Sequence, residues 1–387
     1  MAFIVGGQYN KPMKKNLIPG IAILVVIVAL GVVAFRFRSS LPFLKDSSLT
    51  VPDKKEVTWP GISRGKVLFV SPPYGLAFGG PSGADLSAFG DVIDGQLLVR
   101  NYKVSPNSKQ LVFSTMPRIS SASAQPNFYT AFLDGTNLKK LDLSEYVKSD
   151  VVISDFIWGT DSKSLIFVIL TPSKTVAVTN RFLRYDLENG SVIELYEELA
   201  RSVIPHLYNP TSNQLIFSTE SSSYSVDLAT KIKTVSPAIF SKQLNGDGSV
   251  LASVSKFVIS LYKAEELSLK NPVKIDFSDL GDTFFVNLIS WSSRCDFLVI
   301  SFVDPVSNKN ISRIYNKSGE KISTVDFYVQ EGSVFSSDNS SLLAVRFAGK
   351  SDAGFYQTTW QEFDVSTGKS LTSPITTTDL SFAVYWF

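Results

Sequence analysis

Few residues in this chain have the types and spacing that chemistry requires. Gly61-Ile62-Ser63-Arg64-Gly65 matches the spacing G-x-S-x-G, in which a serine on a sharp strand-to-helix turn is the nucleophile of acyl transfer. That chemistry needs a strand before the serine and a helix after it. Here the residues that follow read KVLFV, a strand, so Ser63 is expected to be a turn residue. His206 and Cys295 are the single histidine and cysteine, which excludes thiolate or imidazole metal cages and an internal disulfide framework. No metal or other cofactor is expected. His206 heads an apolar stretch and reads as a core side chain, and Cys295 reads as a turn residue. A pair of carboxylates across a cleft could still hydrolyse glycosides. However, Asp161, Asp186, Asp227, Asp247, Asp338 and Asp364 all lie in short polar stretches between apolar runs, where a short acid caps local backbone. No Gly-rich phosphate loop precedes a helix, and no calcium-loop spacing occurs.

The elements that would position these residues recur along the chain. YKVSPNSKQLVF from Tyr102, FIWGTDSKSLIF from Phe156, HLYNPTSNQLIF from His206, KQLNGDGSVLAS from Lys242, ISWSSRCDFLVI from Ile289 and SVFSSDNSSLLA from Ser333 share one shape, with a weaker copy, TWPGISRGKVLF, from Thr58. Their tenth column reads Val67, Leu111, Leu165, Leu215, Leu251, Leu298 and Leu342, and the copies start 44, 54, 50, 36, 47 and 44 residues apart. Those spacings fall around the ~40–50 residue period of propeller blades. Trp158 and Trp291 share a column, as blade packing would require. A second hairpin follows in YDLENGSV, VDLATKIK, YNKSGEKI and FDVSTGKS, where Asp or Asn enters the turn and, in three of the four, Gly allows positive φ.

Two hairpins per period make a four-stranded antiparallel sheet too small to bury both faces alone, so successive sheets must stack. Closing the stack radially leaves only short protected edges. The expected fold is all-β, a seven-bladed β-propeller of four-stranded antiparallel blades over residues 56–387, with the strand at 380–387 joining the blade of Gly65–Val70 to close the ring. A linear β-solenoid has shorter rungs and no paired hairpins. The turn Ser-Pro-Asn-Ser-Lys-Gln-Leu-Val-Phe at 105–113 and its relatives resemble the WD-like repeat of TolB-type propellers and of the propeller in prolyl-oligopeptidase-type peptidases. The resemblance covers roughly 56–387 and implies a propeller. TolB-type proteins add a small α/β domain before it, for which residues 36–55 are too short. The peptidases add an α/β-hydrolase domain, for which no further sequence follows the last blade.

With 44% hydrophobic residues over 387 positions the chain can bury a large core. Residues 1–55 hold eight of the 37 Lys/Arg and two of the 35 Asp/Glu, leaving 29 against 33 in the body. No basic face for nucleic acid is expected. LIPGIAILVVIVALGVVAF from Leu17 to Phe35 carries no charge over 19 residues, close to the roughly 30 Å hydrocarbon core at ~1.5 Å per residue. It reads as one transmembrane helix. A cleavable signal peptide is the rival, with small residues at Val32-Val33-Ala34, but its apolar core is usually ~7–15 residues. Lys11, Lys14 and Lys15 balance Arg36, Arg38 and Lys45, and long domains translocate largely regardless of charge. The expected order is a cytoplasmic tail at 1–16, the membrane helix at 17–35, a Ser/Pro/Lys-rich linker at 36–55 and an extracytoplasmic propeller on the cytoplasmic (inner) membrane.

Function is expected on the face that carries the B–C loops, where irregular segments on a rigid scaffold concentrate binding. Ser71–Gly83, Met116–Phe128, Thr171–Arg181, Asp304–Asn310 and Phe347–Tyr356 contain Tyr74, Phe78, Phe128 and Phe355 beside Arg118, Lys174, Arg181, Lys309 and Lys350. Aromatic and Arg anchors are the usual hot-spot chemistry. The leading expectation is a scaffold that docks an envelope protein or polymer. The alternatives are an envelope hydrolase or lyase using carboxylates on the propeller face, and a sensor, which a 16-residue tail would oblige to signal through another protein.

Overall fold

Seven small antiparallel sheets form the body of the protein, and each apolar run of the repeat is a strand within one of them. The computed structural model describes residues 62–71, 75–79, 87–88, 97–117, 125–147, 151–171, 178–236, 250–263, 271–350, 356–377 and 382–387. Blade 1 contains β1 (Val67–Ser71), β2 (Gly75–Gly79) and β3 (Ser87–Ala88). Blade 2 is β4 (Leu97–Val104), β5 (Gln110–Pro117), β6 (Asn127–Phe132) and β7 (Lys139–Lys140). Blade 3 is β8 (Val152–Trp158), β9 (Ser164–Thr171), β10 (Val178–Asp186) and β11 (Val192–Ala200). Blade 4 is β12 (Val203–Asn209), β13 (Gln214–Thr219), β14 (Ser223–Asp227) and β15 (Lys233–Ser236). Blade 5 shows three strands among the described residues, β16 (Val250–Ser255), β17 (Val258–Lys263) and β18 (Val273–Asp276). A 3-10 turn at Ser278–Leu280 leads to blade 6, β19 (Phe285–Trp291), β20 (Phe297–Asp304), β21 (Lys309–Asn316) and β22 (Lys321–Val325). Blade 7 is β23 (Val334–Phe335), β24 (Ser341–Lys350), β25 (Tyr356–Asp364) and β26 (Ile375–Thr377).

The last strand, β27 (Phe382–Trp386), pairs antiparallel with β1, so blade 1 has the order β27-β1-β2-β3. The inner strand of the first blade is therefore made by the C-terminal residues, and the ring is closed by a sheet that joins both ends of the propeller.

The uniform Leu column has a single geometric cause. Seven of the apolar cores among the described residues lie between consecutive blades, an eighth being the small cluster of Val151, Ile169 and Leu183 at blade 3, and the column residue of every blade belongs to the core shared with the preceding one. In blade 3, Leu165 and Phe167 pack with Val112 and Phe128 of blade 2, while Ile166 and Val168 pack with Leu215 and Phe217 of blade 4. Successive side chains of a strand point to opposite faces. Because both faces meet a neighbouring blade, the run is continuously apolar rather than alternating.

The A–B turns repeat as closely. Ser108, Ser162, Cys295 and Asn339 all adopt left-handed φ between 53° and 61°, and each amide donates to the carbonyl three residues back, as in Cys295 N to Ser292 O at 2.9 Å. The expected acid caps are present: Asp161 accepts from the amides of Lys163 and Ser164, and Asp338 from that of Ser340.

Burial varies along the inner strands: β8 runs from exposed Val152 to buried Trp158, whereas β19 runs from exposed Phe285 through buried Leu288 and Ile289 to half-buried Trp291. At the turn end, neighbouring inner strands bridge each other between Gly159 and Tyr208 and between Ser336 and Trp386. At these two bridges the inner strands come together on the turn face, and the opposite, wide face carries the B–C and D–A connections around the channel mouth. Each of β4, β8, β12, β19 and β27 also carries a bulge, which leaves Arg100, Ser154, His206, Asn287 and Val384 out of the ladder.

Three of the expected B–C loops are instead largely hairpin. β2 begins at Gly75, paired with Ser71, so Gly75–Gly79 is the third strand of its sheet. Asp304 and Lys309 pair directly across a tight turn, and β24 runs on to Lys350, which pairs with Tyr356. Apolar and β-branched residues carry these strands further than the turn residues around them suggest. Among the described residues no helix is long and apolar enough to cross a membrane; the run 17–35 lies outside them.

Candidate docking face and channel cluster

Ser63 sits in no nucleophile elbow. β1 follows it, and its amide and hydroxyl donate to the two carboxylate oxygens of Glu362 at 2.8 and 2.5 Å. Glu362 lies on β25 and is 1% exposed. Neighbouring contacts tighten the same junction. Arg64 pairs with Asp338 at 2.8 Å, and its carbonyl accepts from Trp386 Nε1 at 2.9 Å. Gly65 has φ 76°, and a Cβ there would come within 2.5 Å of the Phe387 carbonyl oxygen. The G-x-S-x-G match is a clasp across the closing seam.

The residues expected to bind are divided by the structure. Tyr74, Arg118, Lys174 and Phe355 lie outside the described residues. Phe78 is buried between blades 1 and 2, under the Lys66 ammonium 3.8 Å from its ring centre, and Phe128 is buried between blades 2 and 3. Both point into cores because they belong to strands, and neither is presented to a partner. Arg181 is half-buried on β10, 3.7 Å from Glu194. Lys309 and Lys350 are exposed at the B–C hairpins of the adjacent blades 6 and 7.

Around these two lysines the wide face carries apolar and hydrogen-bonding groups that sequence reasoning did not single out. Phe285 at the head of β19, Val306 in the β20–β21 turn and Phe347 on β24 are 47%, 77% and 46% exposed. Bulged Asn287 donates to the Tyr328 hydroxyl at 2.6 Å. Exposed Val152 heads β8, and exposed Ile204 is the second residue of β12. An inner strand begins at the channel rim, where the side chains that alternate away from the neighbouring blade are left uncovered.

Deeper in the channel, blades 2 to 4 contribute a polar cluster. Lys103 on β4 pairs with Asp155 on β8 at 3.3 Å, both largely shielded. His206, on the bulge of β12, is buried, and its Nε2 lies 2.7 Å from Ser218 Oγ, itself 2.6 Å from Ser223 Oγ. Burial first, and then the nearby Lys103 ammonium, push the imidazole down to about 4, so it is neutral at neutral pH. Ser218 and Ser223 are cross-strand partners, as are the hydrogen-bonded pairs Ser301–Ser312 and Thr358–Thr377. The histidine therefore extends one of several hydroxyl pairs that satisfy polar groups inside the blades. Lys103 was legible as the one charge in a column that otherwise holds Trp59, Ile157, Leu207, Gln243, Ser290 and Val334.

The described carboxyls with displaced titration all move downward, and each shift has a hydrogen bond as its largest cause, from Arg313 for Asp279 and from a nearby turn for the others. Ser336 and the Ser340 amide hold Asp338 down to about 2, Thr136 lowers Asp134, and the Thr230 and Ala229 amides lower Asp227.

No family model matches the chain, and no curated protein matches it either. Among solved structures, TolB from Acinetobacter baumannii is similar at 10% identity and TM-score 0.42, over 83% of this chain and 67% of that one. Prolyl oligopeptidase B from Galerina marginata is similar at 12% identity and TM-score 0.48, over 78% and 48%. A eukaryotic initiation factor is similar at 12% identity and TM-score 0.45, over 84% and 100%. The match spans about half the length of the oligopeptidase.

Proposed function

We propose that the protein is a docking scaffold: a propeller held outside the cytoplasmic membrane by residues 17–35, binding a protein or polymer of the cell envelope on its wide face. The observation that carries the reading is the group of exposed apolar residues at the channel mouth, Val152, Ile204, Phe285, Val306 and Phe347, on a face that also bears Lys309 and Lys350. Exposed apolar groups rimmed by polar ones suit a macromolecular partner. The uncharged run at 17–35 supports the membrane placement. A hydrolase or lyase reading would want a carboxyl raised toward neutrality, whereas Asp338, Asp134 and Asp227 are held below the ordinary range by hydrogen bonds in their turns.

Two measurements test this. Protease added to spheroplasts is expected to digest the propeller and spare an N-terminal fragment; a protected propeller, or a mature N-terminus near Phe35, overturns the membrane placement. Cross-linking of the full chain in its own membranes is expected to capture a partner that is lost with Ile204→Ser/Phe285→Ser/Phe347→Ser. Retained capture by that variant, or loss with Lys163→Ala and Lys317→Ala on the turn face, overturns the docking face.

A further inference from the structure

The outer strand of blade 3 differs from the other outer strands among the described residues. β11 runs nine residues, whereas β3, β7, β15, β18, β22 and β26 run two to five. Among the described strands it pairs with β10 alone; the Tyr146 hydroxyl donates to the Val192 carbonyl at 3.3 Å, and beyond that contact the outer backbone edge has no strand partner, a length to which an extended peptide adds as a strand. Most outer strands of this ring are too short for that.

The side chains along the edge select a partner. A bulge leaves Leu195 out of the ladder, which brings Glu194 opposite Leu183 and Glu197 opposite Arg181. Those partners are two apart on β10, so the bulge sets both acids on one face, with Leu199 next, opposite Thr179. Glu194 and Glu197 are exposed, as is Leu199 at 66%. The edge already holds two lysines of its own chain. Lys231 Nζ donates to the Leu195 carbonyl at 2.7 Å, and Lys233 pairs with Glu198 at 2.7 Å. β11 contains three Glu and no Lys or Arg.

We propose that the β11 edge is a second docking surface, separate from the channel mouth, that takes an extended basic peptide as an added strand. A partner with Lys or Arg at two alternate positions and an apolar residue at the next would meet Glu194, Glu197 and Leu199 in order. Opposite charges directly across a strand pair stabilise it, and like charges destabilise it. A second copy of this chain is the poorer occupant for that reason: antiparallel self-pairing centred on Tyr196 sets Glu194 against Glu198.

The test uses the full chain in detergent and a blocked, fluorescent octapeptide alternating lysine with valine, read by anisotropy. Saturable binding is expected, with at least a tenfold loss for Glu194→Lys/Glu197→Lys. A similar loss is expected when the peptide is fully N-methylated, which keeps its charge and removes its backbone donors. The same peptide with glutamate in place of lysine should not bind. Equal binding of the N-methylated peptide would reduce the effect to charge adsorption and overturn the proposal, as would undiminished binding to the charge-reversed protein. Should the double variant melt early, the single Glu197→Gln is expected to weaken binding without moving the melt. A wild-type dimer in sedimentation, abolished by the charge reversal, would overturn the choice of occupant.

Discussion

Glu362 receives both the amide and the hydroxyl of Ser63 across 299 residues of sequence, and the two meet where the first and last strands of the ring share a sheet. A buried carboxylate is tolerable only when its oxygens are satisfied, and Ser63 satisfies both. Glu362→Ala leaves two donors at the seam without their acceptor and is expected to cost about 1–3 kcal/mol. The melting temperature should fall, with faster amide exchange in β1 and β27 than in β9 and β20. Adding Ser63→Ala to that variant should cost little more; a fully additive second loss would mean that the two residues stabilise the fold separately.

Removal of residues 380–387 deletes β27 and with it Ala383 and Trp386 of the core between blades 7 and 1. Leu68 and Phe69 lose their ladder partners at the same time. Loss of cooperative thermal unfolding across the whole propeller is expected; an unchanged melting temperature would show that the ring stands without its closing strand.

Cys295 occupies the left-handed position that Asn339 fills in the next blade. Asn tolerates this conformation better than most residues, for which it costs roughly 1–2 kcal/mol. Cys295→Asn is therefore expected to raise stability by a few tenths to about 1 kcal/mol, seen as a higher denaturant midpoint at constant slope. A lower midpoint would mean that the thiol's surroundings outweigh the backbone term.

His206 gives the stability a pH signature. Its folded pKa of about 4 lies below the ordinary value of 6.5, so the unfolded chain binds the proton first. The contribution of the neutral, buried imidazole is fully present above the unfolded pKa and is lost as pH falls through the folded one. Between pH 6.5 and 4 the loss is on the order of 3 kcal/mol at most. Asp338, held down to about 2 by its turn, contributes its own loss only below the ordinary carboxylate range. Equilibrium unfolding of wild type and His206→Gln at pH 7, 5.5 and 4 should therefore diverge in slope within that window. Parallel curves would place the imidazole in a wetter site.

The architecture was legible because each blade repeats one constraint. Leu165 and Leu298 face preceding neighbours in the same way, and the turn acids beside them cap similar loops, so seven copies reinforce one another. The closing strand was legible too, since LSFAVYWF is apolar and follows the last turn. The face was harder to read. Phe78 and Phe128 resemble anchors when the strand is assumed to stop at its first turn residue, yet ladder pairing carries both into cores. Ile204, Phe285 and Phe347 look like core residues in sequence. Their exposure follows from their place at the ends of strands around the channel mouth, which depends on how seven blades are set about an axis and not on the local pattern.

The sheet that joins β27 to β1 also imposes an order on biogenesis. About 310 residues separate Ser71 from Phe382, and at roughly 5–20 residues per second a ribosome needs on the order of 15–60 s to cross that distance. Throughout that interval blade 1 lacks its inner strand, and the nascent chain presents an unpaired edge that invites the wrong neighbour. Phe69, sealed in the finished ring, is then wet. Chaperone demand should therefore fall on the earliest blade for as long as synthesis of the last one is incomplete.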